Sequence, residues 1–296
     1  MKMLTKAMNN ERTAGMIFTM PFTIGFLLFM IVPMGISLYY SFCSYDILSP
    51  PVFTGLQNFK TMFADETFYK SIKVTFFFAF VSVPLRLLFA LIVAMLLLKS
   101  TKLTGFYRAA YYLPSIIGGS VAVAILWKRM FATDGVINKL LQAVGINCTM
   151  SWLGNTKTAI WVLIILAVWQ FGSSTVLFLS ALKQVPQSLY EAARSDGASK
   201  PRMFFKITLP MITSIAFFNI IMQLITALQN FTSAFVVTNG GPNKATYVLG
   251  MKLYTDAFKY FKMGYACATS WILFMVILVM TIILFVTSKK WVYYDN

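Results

Sequence analysis

The chain has 296 residues, 58% hydrophobic and 11% charged, with a mean hydropathy of +0.73 and a formal net charge of +16. A water-soluble domain carries about 25% charged residues. The deficit excludes an ordinary solvated surface and points to lipid, where a charge at a helix centre costs roughly 2.5–3.5 kcal/mol.

A spanning helix needs about 20 apolar residues. Charge-poor windows of that kind predict six helices and an all-α integral membrane protein. The first window is Thr13–Tyr45, centred on Met16–Tyr40. Lys2, Lys6 and Arg12 precede it. A signal peptide is the competing reading, but the apolar run is too long and no small-residue cleavage site follows, so the segment reads as an uncleaved anchor. The second window, Val74–Leu98, is interrupted by Arg86, which follows Pro84. The third is Ala109–Trp127, the fourth Thr158–Leu182, the fifth Ile207 to about Val237, and the sixth Met263–Ser288. In domain terms this gives an inner segment 1–13, a first span 14–42, an outer loop 43–70, a core 71–288 and an inner tail 289–296.

Lys and Arg are denser in the segments joined to the N-terminal side, notably Lys99, Lys102, Arg108, Lys183, Arg194, Lys200, Arg202, Lys206, Lys289 and Lys290. The positive-inside rule then places both termini inside, N-in and C-in. The basic residues lie in short loops between apolar runs, not in one patch. They fit anionic membrane lipid and topology control, and predict no nucleic acid partner.

His is absent, which removes the commonest general base and metal ligand. Cys43, Cys148 and Cys267 are far apart and form no C-x-x-C pair. They read as unrelated small apolar residues, with a disulfide left open. No catalytic residues, cofactors or metal site are predicted. No G-x-x-x-x-G-K-[ST] phosphate loop occurs, so any ATP hydrolysis belongs to another chain.

Between the third and fourth windows, Gly135–Gly145 is amphipathic: Val136, Ile137, Leu140, Leu141 and Val144 share one face. Asp134 is placed to cap its start and Gly145 its end. A helix on the membrane surface and a platform for an external partner are both open readings.

The loop 184–210 is too long for a tether. Pro186 suits a helix start, and Leu189, Ala192 and Ala193 give that helix a small apolar face. Gly197 supplies a left-handed position that ends it. Ser199 and Pro201 suit the start of a second helix. A helix–turn–helix against the membrane face is expected.

Glu191-Ala192-Ala193, Asp196-Gly197-Ala198, then Phe204, Ile207, Leu209 and Pro210 fill every position of E-A-A-x-x-D-G-A-x-x-x-x-x-F-x-x-I-x-L-P. This resembles the EAA signature of ATP-binding-cassette import permeases. Trp169-Gln170, Gly240-Gly241-Pro242 with Thr246, the stretch around Asp134-Gly135 and Asn138, and Trp291 look like the carbohydrate branch, maltose-type first permease. The resemblance implies a type I permease fold with a cytoplasmic coupling helix and no catalysis by this chain. The implied partners are a second permease subunit as a heterodimer, two ATP-binding-cassette ATPase subunits and an extracytoplasmic sugar-binding protein. It implies ATPase coupling through Glu191, Ala192, Ala193, Asp196, Gly197 and Ala198. Glu191 would pair with a basic group of the ATPase.

Carbohydrate recognition needs hydrogen-bonding side chains. Gln170, Asn219, Gln223, Thr226, Gln229 and Asn230 are the candidate substrate pathway. Gln223, Thr226 and Asn230 fall on one helical face. Helix–helix hydrogen bonding uses the same residue types and is the alternative. Arg86 is open to three roles: reading substrate, pairing with backbone carbonyls, or facing the partner permease. Among these a structural role is favoured over substrate. The nine carboxylates fall in loops or tails, which argues against an ion-coupled secondary sugar carrier with a buried acid. Glycerol-phosphate or another polyol is the alternative cargo within the importer class.

Overall fold

In a bilayer core a backbone N–H or C=O finds no water, so a spanning segment must satisfy its hydrogen bonds within itself, and helices do this. The computed structural model describes residues 11–98, 104–147 and 149–293, and its apolar runs are mostly helical, with breaks. Cys148, Lys2, Lys6, Lys99, Lys102 and nearly all of the 1–13 segment lie outside the described residues.

In chain order the helices are α1 (Glu11–Phe26), α2 (Val32–Ser41), α3 (Gln57–Ala64), α4 (Glu66–Leu96), α5 (Thr104–Ile117), α6 (Val121–Met130) and α7 (Val136–Ala143). Then follow α8 (Ala159–Trp169), α9 (Gly172–Gln184), α10 (Gln187–Ser195), α11 (Lys200–Met203), α12 (Thr213–Leu228), α13 (Leu249–Tyr254) and α14 (Met263–Ser288). A π turn, Leu27–Ile31, joins α1 to α2.

Three helical stretches are long and apolar enough to cross a membrane unbroken: Gly15–Ser41, Glu66–Leu96 and Met263–Ser288. The third, fourth and fifth windows instead form bent pairs. α5 and α6 meet at 101°, α8 and α9 at 44°, and the segment Lys200–Met211 meets α12 at 65°. Six spans result when each bent pair is counted as one. The breaks fall at Gly118-Gly119-Ser120, Gln170-Phe171 and Ile212.

The chain clusters into two units. The first comprises residues 1–64 and 253–272. Within it β1 (Cys43–Ser44) pairs antiparallel with β2 (Val52–Phe53). The Asn58 amide donates to the carbonyls of Ser41 and Cys43 at 2.9 and 2.8 Å, closing the chain after α2. Gly264 N–H donates to the Tyr45 carbonyl at 3.0 Å, and its Cα lies so close to the Cys43 carbonyl that no Cβ fits. Asp256 is buried here, 6% exposed, in the π turn Thr255–Lys259. Asp256 lies outside the candidate spans, as expected, but its burial means that a buried acid is present, and the absence of one no longer argues against ion coupling. Cys43 and Cys267 are free thiols.

The second unit comprises residues 65–252 and 273–296. Its axis is α4, against which α8, α9 and α12 pack. α4 begins within the stretch expected to be outer loop, because the Asp65 carboxylate accepts from Thr67 N–H at 2.8 Å and caps it. Its buried residues, among them Thr75, Phe78, Ala79, Ser82, Leu87, Ala90 and Ala94, recur every three or four positions as one stripe. Small residues on that stripe let neighbouring backbones approach. The closest approach is at Gly172 on α9, where a Cβ would overlap the Tyr111 carbonyl of α5. α4 runs through Pro84 without a break.

Bonds from the loop after α12 and from α13 tie both to the N-terminal half of α4. Lys70 Nζ donates to the Asn243 carbonyl (2.6 Å), Lys244 Nζ to Thr67 Oγ1 (3.0 Å), and Leu249 N–H to Thr75 Oγ1 (2.8 Å). The fourth is an ion pair, Lys252 to Asp65 at 2.6 Å, with the Lys252 side chain 5% exposed.

α7 differs from expectation in two ways. Gly135, not Asp134, is its N-cap, and no side chain caps it. Gly145 does end it, with φ +87°. Asn138 is the buried member, 1% exposed. It donates to the Thr133 and Met150 carbonyls and accepts from Trp152 Nε1 at 2.6 Å. That arrangement leaves Val136, Leu140 and Val144 exposed.

Candidate functional site: an exposed helical loop and a polar cavity

Two features of the second unit carry the candidate residues. The first is the stretch 184–210. Pro186 is the N-cap of α10, one position before the first turn expected of it. The helix runs nine residues, with none of them buried. Gly197 has φ +74°. Ala198 N–H donates to the Ala193 carbonyl at 2.9 Å and Gly197 N–H to the Arg194 carbonyl at 3.0 Å, the paired bonds of a Schellman end. Glycine is needed there because an L side chain in the left-handed region costs about 1–2 kcal/mol. Ser199 is the N-cap of α11, but its hydroxyl makes no capping bond.

Glu191, Ala192, Asp196 and Gly197 are exposed, and Ala193 and Ala198 are half-buried. Ala193, Asp196 and Ala198 line a shallow cavity of about 230 Å³ with Arg202, Met203, Lys206 and Ile207. Tyr190 points the other way. Its hydroxyl lies 2.7 Å from the hydroxyl of Thr208, a buried residue in the π turn Phe204–Thr208. The exposed helix is thereby tied to the segment that leads into α12.

The second feature is a cavity of about 220 Å³ between α4, the α5–α6 break, the α8–α9 break and the end of α12. Five of the six expected pathway residues line it: Gln170, Gln223, Thr226, Gln229 and Asn230. The sixth, Asn219, does not. It is 1% exposed, and its amide donates to the Ile215 carbonyl of its own helix at 3.1 Å.

The cavity exists because helices break around it. α12 ends at Leu228, so Gln229 and Asn230 extend past it rather than continuing the helix expected to Val237. Gln170 is the C-cap of α8. Its carbonyl accepts from Arg86 Nη2, so a charged side chain of α4 covers the backbone exposed by the break. Gln170 Nε2 donates to the Leu166 carbonyl at 3.2 Å, and its side chain lies against Gly118, where a Cβ would collide with it. Gln223 Nε2 donates to Ser174 Oγ at 3.2 Å, and Ser233 Oγ to Asn230 Oδ1 at 2.7 Å. Phe78, Ser82 and Phe231 add aromatic and hydroxyl surface.

The sequence reading did not single out Gly118, Gly119, Ser120, Phe78 or Phe231 as lining residues. The Gly-Gly-Ser run between two apolar stretches is a breaker signal that locates one wall. Nothing local marks the two phenylalanines among 28 in the chain.

A polytopic helical chain with a broken-helix polar cavity and an exposed helix on the loop between two bent spans is the architecture of a transport permease. The chain belongs to the family described as the binding-protein-dependent transport system inner membrane component, whose model matches residues 14–292. It is thus a non-catalytic, multi-pass component of the plasma membrane. It is 49% identical over 99% of its length, and 96% of the relative's, to the probable ABC transporter permease protein YesP of Bacillus subtilis (strain 168). It is 29% identical, over 93% and 94% of the two chains, to the probable starch degradation products transport system permease protein AmyD of Thermoanaerobacterium thermosulfurigenes. Its fold matches a chain of the crystal structure of a bacterial alginate ABC transporter in complex with an alginate pentasaccharide-bound periplasmic protein. The TM-score is 0.77 at 24% identity, over 92% of this chain and 93% of that one.

Proposed function

We propose that this chain forms half of the translocation path of an ATP-driven carbohydrate importer, with six spans and both termini inside. A second permease completes the path. Two ATPase subunits dock inside, and an extracytoplasmic binding protein delivers the sugar. The cavity supports the two-subunit reading by its size. At about 220 Å³ it falls below the roughly 300–1,000 Å³ of a complete small-molecule site.

The observation that carries the coupling assignment is α10, a helix with no buried residue. A Schellman turn ends it, and the Tyr190–Thr208 contact ties its middle to the segment entering α12. Glu191, Ala192, Ala193, Asp196, Gly197 and Ala198 form the surface that meets the ATPase. Movement of that surface is passed to α12, which carries Gln223 and Thr226 into the cavity. Amide and hydroxyl groups beside Phe78 and Phe231 suit a sugar, which offers hydroxyls on its rim and C–H faces to aromatic rings.

The polyol-phosphate alternative is less well supported, since Arg86 is the one cation among the described residues lining the cavity, and a phosphate monoester carries about −1.5 to −2 at pH 7. The test is reconstitution of this chain with its partner permease, ATPases and binding protein in liposomes. ATP-dependent accumulation of an oligosaccharide is expected, together with a crosslink from a cysteine at Ala192 to the ATPase. Accumulation driven by an ion gradient in the absence of the ATPases would overturn the assignment.

A further inference from the structure

The charge inside the cavity is out of balance. Arg86 is its one charged lining residue, and among the described residues no carboxylate lines it. The ion pair Lys252–Asp65 lies elsewhere. Arg86 is half-buried, its Nη2 donates to the Gln170 carbonyl, and its Nε–H is buried with no partner.

One bond to a neutral carbonyl does not settle that cation. A hydrogen bond to a charged group contributes about 1.5–3 kcal/mol. Removing an ion from water costs several kcal/mol. Covering the carbonyl at the α8–α9 break needs a donor, which an uncharged amide also supplies. The charge is surplus to that task.

The neighbouring polar atoms are skewed the same way. Asn230 Oδ1 is occupied by Ser233 Oγ, and Asn230 Nδ2 is buried without a partner. Two orphan donors in one cavity wall are uncommon in a finished structure. A ligand that brings acceptors meets both once the wall atoms that cover them shift.

We propose that the cargo is an acidic carbohydrate, carrying a carboxylate that Arg86 recognises while Asn230 donates to the same region of the ligand. The inference rests on the carbohydrate reading above and adds the charge. A guanidinium matches a carboxylate in shape and charge. One monovalent cation balances one monoanion, whereas a phosphate monoester carries about −1.5 to −2 at pH 7 and leaves the cavity with net negative charge.

The experiment uses the complete reconstituted importer with three probes: a uronic-acid-containing oligosaccharide, the same oligosaccharide with its carboxyl reduced to the alcohol, and a sugar phosphate. Wild type should accumulate the uronate at least tenfold faster than its reduced counterpart. Arg86→Gln, which keeps a donor for the Gln170 carbonyl, should erase that preference by slowing the uronate alone. Arg86→Lys should retain most of it.

Equal wild-type rates for the uronate and its reduced form would overturn the proposal while leaving the carbohydrate importer intact. So would a preference for the phosphate. Uniform slowing of every probe by Arg86→Gln, with membrane level and basal ATPase unchanged, would also overturn it, because Arg86 would then serve only the helix break or a charge on the partner permease. No accumulation of any sugar by wild type would sink the carbohydrate reading itself.

Discussion

The hydroxyls of Tyr190 and Thr208 lie 2.7 Å apart across the exposed helical loop, 18 residues separated in sequence. Tyr190 belongs to a helix with no buried residue, whereas Thr208 is buried in the π turn that leads into α12. That contact is a direct polar link between the proposed ATPase-facing helix and the segment that leads into the cavity-lining helix. Tyr190→Phe removes one neutral hydrogen bond, worth about 0.5–1.5 kcal/mol. The chain should remain folded. The ratio of sugar transported to ATP hydrolysed should fall several-fold in proteoliposomes, and an unchanged ratio would show that the link does not transmit movement.

Gly197 sits at φ +74° with open space around its Cα. The penalty of a substitution there is conformational rather than steric. Gly197→Val should disfavour the turn by about 1–2 kcal/mol and abolish uptake, with membrane abundance unchanged by immunoblot. Gly197→Asn should retain substantial uptake, since asparagine tolerates the left-handed region. Wild-type uptake by the valine variant would remove this turn from the coupling route.

Gln223 and Asn230 line the cavity, but each already holds one intramolecular bond, to Ser174 and Ser233. Gln223→Ala and Asn230→Ala should therefore change substrate preference or transport rate in competition assays with a panel of oligosaccharides. Asn219→Ala serves as the control, because Asn219 bonds within its own helix. Equal effects from all three would make the cavity assignment no better than helix–helix bonding.

Lys252 is buried against Asp65, which also caps α4. Asp65→Asn keeps a capping oxygen but strips the lysine of its counter-charge. Breaking a buried pair by neutralising one member costs about 3–5 kcal/mol. A clear drop in the thermal unfolding midpoint of detergent-purified protein is expected. Lys252→Met should be milder, as Asp65 is more exposed and retains its cap. The reverse order would mean that the ion pair contributes little.

Gly172 has no room for a methyl group beside the Tyr111 carbonyl. Gly172→Ala should separate α9 from α5, lowering the unfolding midpoint and the yield of folded protein. Overpacking of this kind typically costs about 1–3 kcal/mol. Gly119→Ala, at a position with open space, should be tolerated at the same temperature.

The sequence by itself determined the membrane setting, the apolar windows, the helix–turn–helix of 184–210 and its glycine end. Each rests on local information. Apolar length decides whether a segment suits lipid, and a left-handed turn selects glycine at the residue that adopts it. Five of the six candidate residues line the cavity and were legible for the same reason, since polar side chains in apolar windows are conspicuous. Tertiary structure alone decided the rest. It bent three windows at Gly118–Ser120, Gln170–Phe171 and Ile212, buried Asp256, and turned Asn219 back onto its own helix. It also brought Arg86 to the carbonyl of Gln170, 84 residues away. Those outcomes depend on which helix packs against which. A buried charge or a broken helix is acceptable only once a neighbour from a distant part of the chain supplies the missing partner.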